Sequence, residues 1–304
     1  MTLQLYHLPV PGWLADRGID ELGVWSVPLT MRFRRILVRE GMVLHGSGWP
    51  LSETHSNGGW WLYFDENNQV SFGMVIDLSY HNPYLSPFDE LQRLKTHPLI
   101  RNILEGGKRL SYGARALTKG GLNSLPKLYF AGGVLVGDDA GFLNPAKIKG
   151  THTAIKSGML AAEAVYEAIA AGRQHDEVPT YEQKFKASWL YNDMYQARNF
   201  ANAMHRMGIW MGGAFNFLEQ NIFKGKMPLT IRDRMPDYDV LERADHAYIP
   251  EYPKPDGKLT FDKLSSVFIS NTNHAEDQPC HLKLTDPEVP IKRNLKIFAE
   301  PAQR

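Results

Sequence analysis

Apolar residues at strand and helix spacing dominate the middle of the chain. Residues 128–136 form an apolar run that predicts a buried strand, and residues 137–141 form a turn of glycines and acids. Residues 151–171 then predict a helix whose apolar positions recur every three or four residues: Ile155, Met159, Ala162, Val165, Tyr166 and Ile169. Gly172 follows at the position where helices commonly end.

A strand, a glycine-containing turn and a helix N-terminus in this order are typical of nucleotide cofactor sites. Small residues let the backbone approach the ligand, and the first N–H groups of the helix attract an anion. We therefore expect five residues to contact a cofactor: Gly137, Asp138 and Gly141 in the turn, and Gly150 and Thr151 at the helix start. The Asp138 carboxylate suits a ribose or ribityl hydroxyl, although capping of the next segment is the alternative.

Weaker patterns organise the rest of the chain. Strands are predicted at residues 42–51, 60–64 and 70–78, with a hairpin connection at 65–68. Helices are predicted at residues 87–96, 98–104 and 179–202, and strands with turns at 259–270 and 281–298. An apolar segment with basic flanks, residues 203–223, predicts either a buried helix or a helix in a membrane interface.

Six motifs together resemble one known family. VGDDAGFLNPAKIKGTHTAIKSGMLAAE resembles the second FAD motif of the electron transfer flavoprotein–ubiquinone oxidoreductases. The other motifs occur in the family's order: GWPL, NPYLSPFDELQRLKTHP, LEGGKRLSYGARAL, EYPKPDGKLTFDKLSSV and TNHAEDQP. The resemblance covers residues 41–304, and for residues 1–40 we expect either a misassigned junction or a native basic segment.

The resemblance implies an α/β fold with α+β insertions. It combines a partial FAD-binding Rossmann-like domain, a mixed-sheet quinone-side domain and a truncated ferredoxin-like end. Five segments follow from it: an unmatched N-terminal segment (1–40), the quinone or substrate side (41–127), the C-terminal part of the FAD-binding domain (128–202), a membrane-surface helical segment (203–227) and the truncated start of an iron–sulfur domain (228–304).

The resemblance also implies a function, which is electron transfer from reduced electron transfer flavoprotein to ubiquinone. The electrons pass through FAD and, in the full-length family, through a 4Fe-4S cluster. FAD is implied at the turn and helix start, and the quinone at Asn57, Gly58 and Gly59. Asn57 stands where the family usually has an aromatic residue, and a plain hairpin bend is the alternative for this turn. The implied location is the surface of the bacterial or mitochondrial inner membrane.

Composition limits these expectations. A net charge of +1 gives no indication of nucleic-acid binding, and no run of about 18 apolar residues predicts a membrane-spanning helix. The single cysteine, Cys280, cannot hold a four-thiolate cluster, and no GxGxxG fingerprint occurs. The alternative is therefore a non-catalytic fragment or split-gene half unable to bind FAD alone. A monooxygenase-like FAD enzyme, such as a prenyl reductase, shares only the Gly-Asp turn.

Overall fold

The computed structural model describes residues 17–26, 40–233, 235–279 and 284–299; Cys280 and most of the first 40 residues lie outside these ranges. The strands within them are β1 (Arg17–Ser26), β2 (Val43–Gly46), β3 (Gly58–Asp65), β4 (Gln69–Asp77), β5 (Lys108–Thr118), β6 (Tyr129–Phe130) and β7 (Gly133–Val134). The α-helices are α1 (Pro87–Lys95), α2 (Pro98–Leu104), α3 (Thr151–Ala170), α4 (Pro179–Ala187), α5 (Trp189–Gln196), α6 (Phe200–Asn221), α7 (Lys263–Ile269) and α8 (Leu295–Phe298).

The chain divides into two compact units. The turn–helix unit is built from residues 117–236, and the sheet unit from residues 18–116 together with the chain from residue 237 onward. Both helices and sheets are present, which confirms the expected mixture of the two. The five predicted segments stay predictions, but the residues from 237 onward pack in the same unit as residues 18–116.

A five-stranded sheet with the order β2-β3-β4-β1-β5 organises the sheet unit. Its β2–β3, β3–β4 and β1–β4 pairings are antiparallel. Strands β3 and β4 confirm the strands predicted at 60–64 and 70–78, and the hairpin is confirmed by a turn in which Asn67 and Asn68 have φ values of 58° and 55°. The strand predicted at 42–51 is confirmed only in its first part, because β2 ends at Gly46 and a 3₁₀ helix begins at Leu51. The sequence does not predict strand β5, because its three basic residues and Gly113 interrupt the alternation of apolar and polar positions.

One face of this sheet and two helices enclose the core of the sheet unit. Alternate residues of β4 point to that face, as the two-residue period of a strand requires. Helices α1 and α2, which confirm the predicted ones, cover it. The buried side chains are Leu62, Val70, Phe72, Met74 and Ile76 from the sheet and Leu91, Leu94, Ile100, Ile103 and Leu104 from the helices.

The C-terminal part of the sheet unit is helical where strands were predicted. Helix α7 occupies most of residues 259–270, and its first turn is capped by Asp262, which accepts the N–H of Ser265 at 2.9 Å. A π-helical turn (Pro290–Asn294) leads into α8, so the prediction for the described part of 281–298 is also wrong. The Asp262 cap explains why residues 259–270 form a helix and not the predicted strand. A helix N-terminus whose N–H groups are bonded outweighs the β preference of so short a segment.

The EYPKPDGKLTFDKLSSV motif attaches this part of the chain to α1. Tyr252 donates to the Glu90 carboxylate at 2.9 Å, and the Phe261 N–H donates to Gln92 Oε1 at 3.0 Å. Between them, Asp256 accepts three consecutive backbone N–H groups at 2.8 to 2.9 Å. Burial alone would raise the pKa of Asp256, but these bonds outweigh it and lower the pKa to about 2. The motif therefore has a clear structural role.

The turn–helix unit begins with a short hairpin rather than the predicted buried strand. Within residues 128–136, β6 and β7 are only two residues each, and the chain reverses at Gly132, whose φ is 81°. The predicted helix at 179–202 is also interrupted. Helix α4 ends at Ala187 and Ser188 is extended, with φ −91° and ψ 163°, before α5 begins. The core packs the hairpin and α3–α5 around Phe142, Tyr181, Phe185, Leu190 and Met194.

Helix α6 is a pair of helical pieces that meet at Gly208. Gly208 has a φ of 69° and a ψ of −178°, which interrupts the helix inside the predicted apolar segment. The second piece folds against the first, because a methyl group on Gly212 would lie 2.7 Å from the carbonyl oxygen of Ala203. Asn216 Nδ2 also donates to the carbonyl of Phe200 at 2.9 Å. The apolar segment therefore forms a compact helical hairpin.

Candidate functional site

The predicted turn is a tight 3₁₀ turn (Asp138–Ala140) bounded by two glycines. The carbonyl of Gly137 accepts the N–H groups of Ala140 and Phe142 at 3.2 and 3.1 Å, and Gly141 donates to the carbonyl of Asp138 at 2.9 Å. Gly137 and Gly141 have φ values of 67° and 94°, which side chains other than glycine rarely adopt. The backbone bonds therefore fix the direction of the turn.

This turn packs directly on the first two turns of α3. The Gly137 N–H donates to Ser157 Oγ at 3.0 Å, and the Ser157 hydroxyl donates in turn to the carbonyl of Ala154 at 2.8 Å. The first N–H groups of α3 lack intrahelical acceptors, since no residue four positions earlier is helical. The structure thus brings together Gly137 and the start of α3 at Gly150 and Thr151, as the sequence predicts.

Asp138 and Gly150 form the closest contact of the candidate site. A methyl group on Gly150 would collide with the Asp138 carboxylate, so this carboxylate lies against the bare backbone of Gly150. Asp138 Oδ1 is buried and has no hydrogen-bond partner among the residues that the structure describes. Burial raises the pKa of Asp138 above its ordinary value, and the charge of Asp139 raises it further. A buried acceptor without a donor is costly and suits a ligand hydroxyl.

A cluster around Asp193 holds the loop that precedes α3. Asp193 on α5 accepts Asn144 Nδ2 at 2.8 Å and His152 Nε2 at 3.2 Å, and it also forms an ion pair with Lys147. The His152 ring stacks on Trp189, with ring centroids 6.2 Å apart. Burial alone would raise the pKa of Asp193, but the bonds from Lys147, Asn144 and His152 outweigh it and keep the pKa below its ordinary value. The cluster fixes the loop and the first turn of α3 relative to α5.

Sequence reasoning did not identify Ser157, Asn144 or Asp193 as part of this arrangement. Ser157 is a polar residue on the buried side of α3, and a polar residue at a buried helix position is the only local indication of its role. Asn144 precedes Pro145 in a loop, which indicates a turn but no partner. Asp193 lies in a different helix, more than 40 residues from the loop it holds. No spacing rule connects residues so far apart in sequence.

The second candidate site lies in the sheet unit, at the start of β3. Gly58 and Gly59 pair with Ile76 and Val75, so both glycines belong to the sheet, and β3 begins two residues before the strand predicted at 60–64. A methyl group on Gly59 would lie 2.7 Å from the carbonyl oxygen of Gly46, and one on Gly58 would collide with Val75. Asn57 accepts the N–H of Asp77 at 3.0 Å. Close strand packing alone thus accounts for both glycines.

A metal cluster does not fit the residues present. Within the described ranges, no group of three or more His, Cys, Asp or Glu side chains is arranged to hold a metal ion. A 4Fe-4S cluster takes four thiolates, and the sequence contains one cysteine, Cys280. This chain alone therefore cannot supply the ligands of such a cluster.

Two family models match the chain. The ubiquinone-binding model of electron transfer flavoprotein–ubiquinone oxidoreductase (ETF-QO) matches residues 18–117, and the 4Fe-4S model of the same enzyme matches residues 257–304. The first match covers β1–β5, α1 and α2 of the sheet unit. It begins upstream of residue 41, where the motifs place the start of the resemblance, so residues 18–40 also carry the family pattern.

Three curated relatives illustrate the similarity. The electron transfer flavoprotein-ubiquinone oxidoreductase of Pseudomonas aeruginosa is 61% identical over 303 residues, which cover 99% of this chain and 54% of that protein. The probable enzyme of that name from Acinetobacter baylyi is 61% identical over 284 residues, covering 88% and 50%. The mitochondrial protein of Homo sapiens is 45% identical over 274 residues, covering 88% and 44%. The chain spans about half the length of these relatives.

Among solved structures, a geranylgeranyl bacteriochlorophyll reductase-like protein from Thermoplasma acidophilum gives a TM-score of 0.48 at 18% identity. The superposition covers 75% of this chain and 51% of that chain.

The contact between Asp138 and Gly150 is tested by a pair of glycine substitutions in one helical region. Gly150→Ala is expected to lower the free energy of unfolding by about 1–3 kcal/mol, because the methyl group must displace the Asp138 carboxylate. Gly158→Ala is the control: nothing lies within 4 Å of its methyl group, so the variant gains up to about 1 kcal/mol from helix propensity. Urea unfolding followed by circular dichroism measures both, and equal shifts in one direction would contradict the contact.

Proposed function

Since this chain belongs to the electron transfer flavoprotein–ubiquinone oxidoreductase family, we propose that it supplies the quinone side and part of the FAD side of such an enzyme. The reaction moves electrons from reduced electron transfer flavoprotein to ubiquinone. The observation that carries the proposal is the 61% identity to the Pseudomonas aeruginosa relative across 99% of this chain. The alternative is a split half that binds no FAD by itself. Under that alternative the isolated chain is purified without FAD.

The FAD side of this proposal is a partial Rossmann-like domain in the turn–helix unit. Bound FAD supplies the redox chemistry, and the residues of this chain bind and orient it. Asp138 Oδ1 accepts a ribose or ribityl hydroxyl, which provides the donor that the folded chain lacks. Gly137, Gly141 and Gly150 let the backbone approach, and the N–H groups from Thr151 onward offer a positive helix end to an electron-rich group. Asp193 holds the loop in place through Lys147 and Asn144, and the first turn of α3 through His152.

The quinone side of this proposal is the start of β3 in the sheet unit. Gly58 and Gly59 are half-buried, so part of their backbone is accessible to a planar ring. Asn57, also half-buried, offers an amide where the family usually has an aromatic ring. Contact at this position is therefore polar rather than stacked. The 4Fe-4S step belongs to the full-length family, and this chain alone does not supply the four thiolate ligands of the cluster.

The second piece of α6 carries the peripheral membrane contact of this proposal. Its exposed face includes Trp210 and Phe217, which are 88% and 64% exposed, together with Met211, Leu218 and Ile222. Lys224 and Lys226 follow at its end, as is typical of helices that lie in a membrane interface. No helix in the described ranges is long and apolar enough to cross a bilayer. The expected surface is the bacterial or mitochondrial inner membrane.

The visible absorption spectrum of the purified chain tests the FAD side. We expect FAD to be released on denaturation, and Asp138→Ala to weaken FAD binding at least about tenfold, because a hydrogen bond to a charged acceptor is lost. Asp139→Ala is the control and is expected to keep the affinity of the unmodified chain. Equal FAD affinity of all three chains would contradict the role of Asp138. A colourless unmodified chain would favour the split-half alternative.

Flotation with vesicles that contain anionic phospholipid tests the membrane contact. We expect the double substitution Trp210→Glu and Phe217→Glu to reduce the floating fraction about tenfold. Two aromatic side chains that insert into the membrane interface are replaced by carboxylates, which the anionic surface repels. Met159→Glu with Ile169→Glu is the control, since it places the same charges on exposed apolar positions of α3. If the α6 variant floats as well as the unmodified chain, α6 is not the membrane contact.

A further inference from the structure

Arg93 on α1 holds two carboxylates that come from different parts of the sheet unit. Its guanidinium donates to Glu53, and to the two oxygens of the Glu90 carboxylate at 3.3 and 3.4 Å. The Arg93 side chain is 14% exposed, and the Glu90 side chain is fully buried. A buried carboxylate is costly without a donor, so Glu90 constrains where the guanidinium lies. From that position Arg93 reaches Glu53.

A tyrosine from the C-terminal part of the sheet unit fixes Glu90 from the other side. Tyr252 donates its hydroxyl proton to Glu90 Oε1 at 2.9 Å, and the same hydroxyl accepts the N–H of Ser86 at 3.0 Å. Burial raises the pKa of Glu90, while the charge of Arg93 and the Tyr252 hydrogen bond hold this rise back. Tyr252 therefore orients the carboxylate that in turn orients Arg93.

The second carboxylate belongs to the 3₁₀ helix (Leu51–Thr54). Glu53 accepts the Trp49 indole N–H at 2.9 Å in addition to the bond from Arg93, and the guanidinium lies 5.5 Å from the centre of the Trp49 ring. The hydrogen bond from Arg93 lowers the pKa of Glu53 below its ordinary value, so this carboxylate is charged at neutral pH. One guanidinium thus joins α1 to the 3₁₀ helix and to the residue pair before it.

The 3₁₀ helix packs against the first glycine of β3. A methyl group on Gly58 would lie 2.6 Å from Leu51 Cδ1, so the buried Leu51 side chain touches the Gly58 backbone. The Ser56 N–H donates to the carbonyl of Leu51 at 3.0 Å, and Asn57 follows directly. Because these contacts are so close, a shift of the 3₁₀ helix moves the backbone at residues 57–59. Arg93 is therefore connected to this turn through the 3₁₀ helix.

We propose that Arg93 is a positioning residue for the quinone side, and that Tyr252 holds it in its working orientation through Glu90. The inference rests on the quinone side of the proposed function, which is the turn at residues 57–59. The guanidinium sets the position of the 3₁₀ helix, and the 3₁₀ helix sets the position of the turn. Tyr252 lies 162 residues from Glu90 in the sequence, so the EYPKPDGKLTFDKLSSV motif acts on the quinone side from a distant part of the chain.

Hydrogen exchange without quinone tests the connection by itself. The N–H groups of Ser52, Glu53 and Ser56 donate within the 3₁₀ helix and its flanks, so their exchange reports how often this segment opens. We expect Tyr252→Phe, which removes only the hydroxyl, to speed this exchange about threefold. Tyr248→Phe is the matched control and keeps the unmodified rate, because its side chain is 69% exposed. Unchanged exchange in Tyr252→Phe, or an equal increase in both variants, would overturn the proposal.

Quenching of tryptophan fluorescence by ubiquinone-1, which carries a single isoprene unit, measures the affinity of the quinone side. We expect the dissociation constant to rise about tenfold with Arg93→Gln and about threefold with Tyr252→Phe. Because Tyr252 acts through Arg93, the double variant is expected to match Arg93→Gln alone. A double variant in which the two effects multiply would contradict the proposal, since the two residues would then act independently.

The two measurements separate failure of this inference from failure of the proposed function. If the unmodified chain binds ubiquinone-1 and every variant binds it equally well, the quinone side stands and the role of Arg93 is overturned. If the unmodified chain binds no ubiquinone-1, the quinone side of the proposed function is wrong, and the assignment of Arg93 to it is wrong as well. The exchange measurement then still decides whether Tyr252 holds the 3₁₀ helix.

Discussion

The contact of the Asp138 carboxylate with the backbone of Gly150 is the constraint on which the candidate site depends. Only a residue without a side chain fits opposite this carboxylate. The hydrogen bond from the Gly137 N–H to Ser157 Oγ also holds the turn against α3. The arrangement keeps an acceptor oxygen buried and without a donor in the folded chain. An ordinary folded protein avoids such a group, because its desolvation is not compensated. A ligand hydroxyl compensates it.

Two helices of the turn–helix unit, α3 and α6, bury the side that carries small or polar residues and expose the side that carries bulky apolar residues. In α6 the buried positions include Gly212, Asn216 and Glu219, while Trp210 is exposed. In α3 the buried positions are mostly alanine and hydroxyl residues. The difference lies in what surrounds each face: aromatic and lysine residues at α6, carboxylates at α3.

Local signals in the sequence predict α1, α2, the turn at 137–141 and the start of α3 correctly, because caps, turn residues and spacing act over a few residues. They fail where a single residue redirects the chain, as at Gly132 and Ser188, and where a cap outweighs strand preference, as at Asp262. The order of strand, turn and helix along the chain is enough to predict that the turn at 137–141 lies beside the start of α3. The partner of the loop, Asp193, could not be found in the same way, because the fold and not the spacing brings it to the site.

The free energy of unfolding of the unmodified chain and of Asp138→Asn, measured without ligand from about pH 3, below the ordinary pKa of an aspartate, to pH 8, tests the central claim most directly. Because the pKa of Asp138 is raised in the folded state, its contribution to stability is present at low pH and is lost as pH rises through that pKa. Asparagine resembles the protonated acid at every pH. The account predicts that Asp138→Asn is the more stable chain near pH 8 and that the difference narrows as pH falls. A variant less stable than the unmodified chain at pH 8 would mean that the carboxylate is already satisfied, and the account would be wrong.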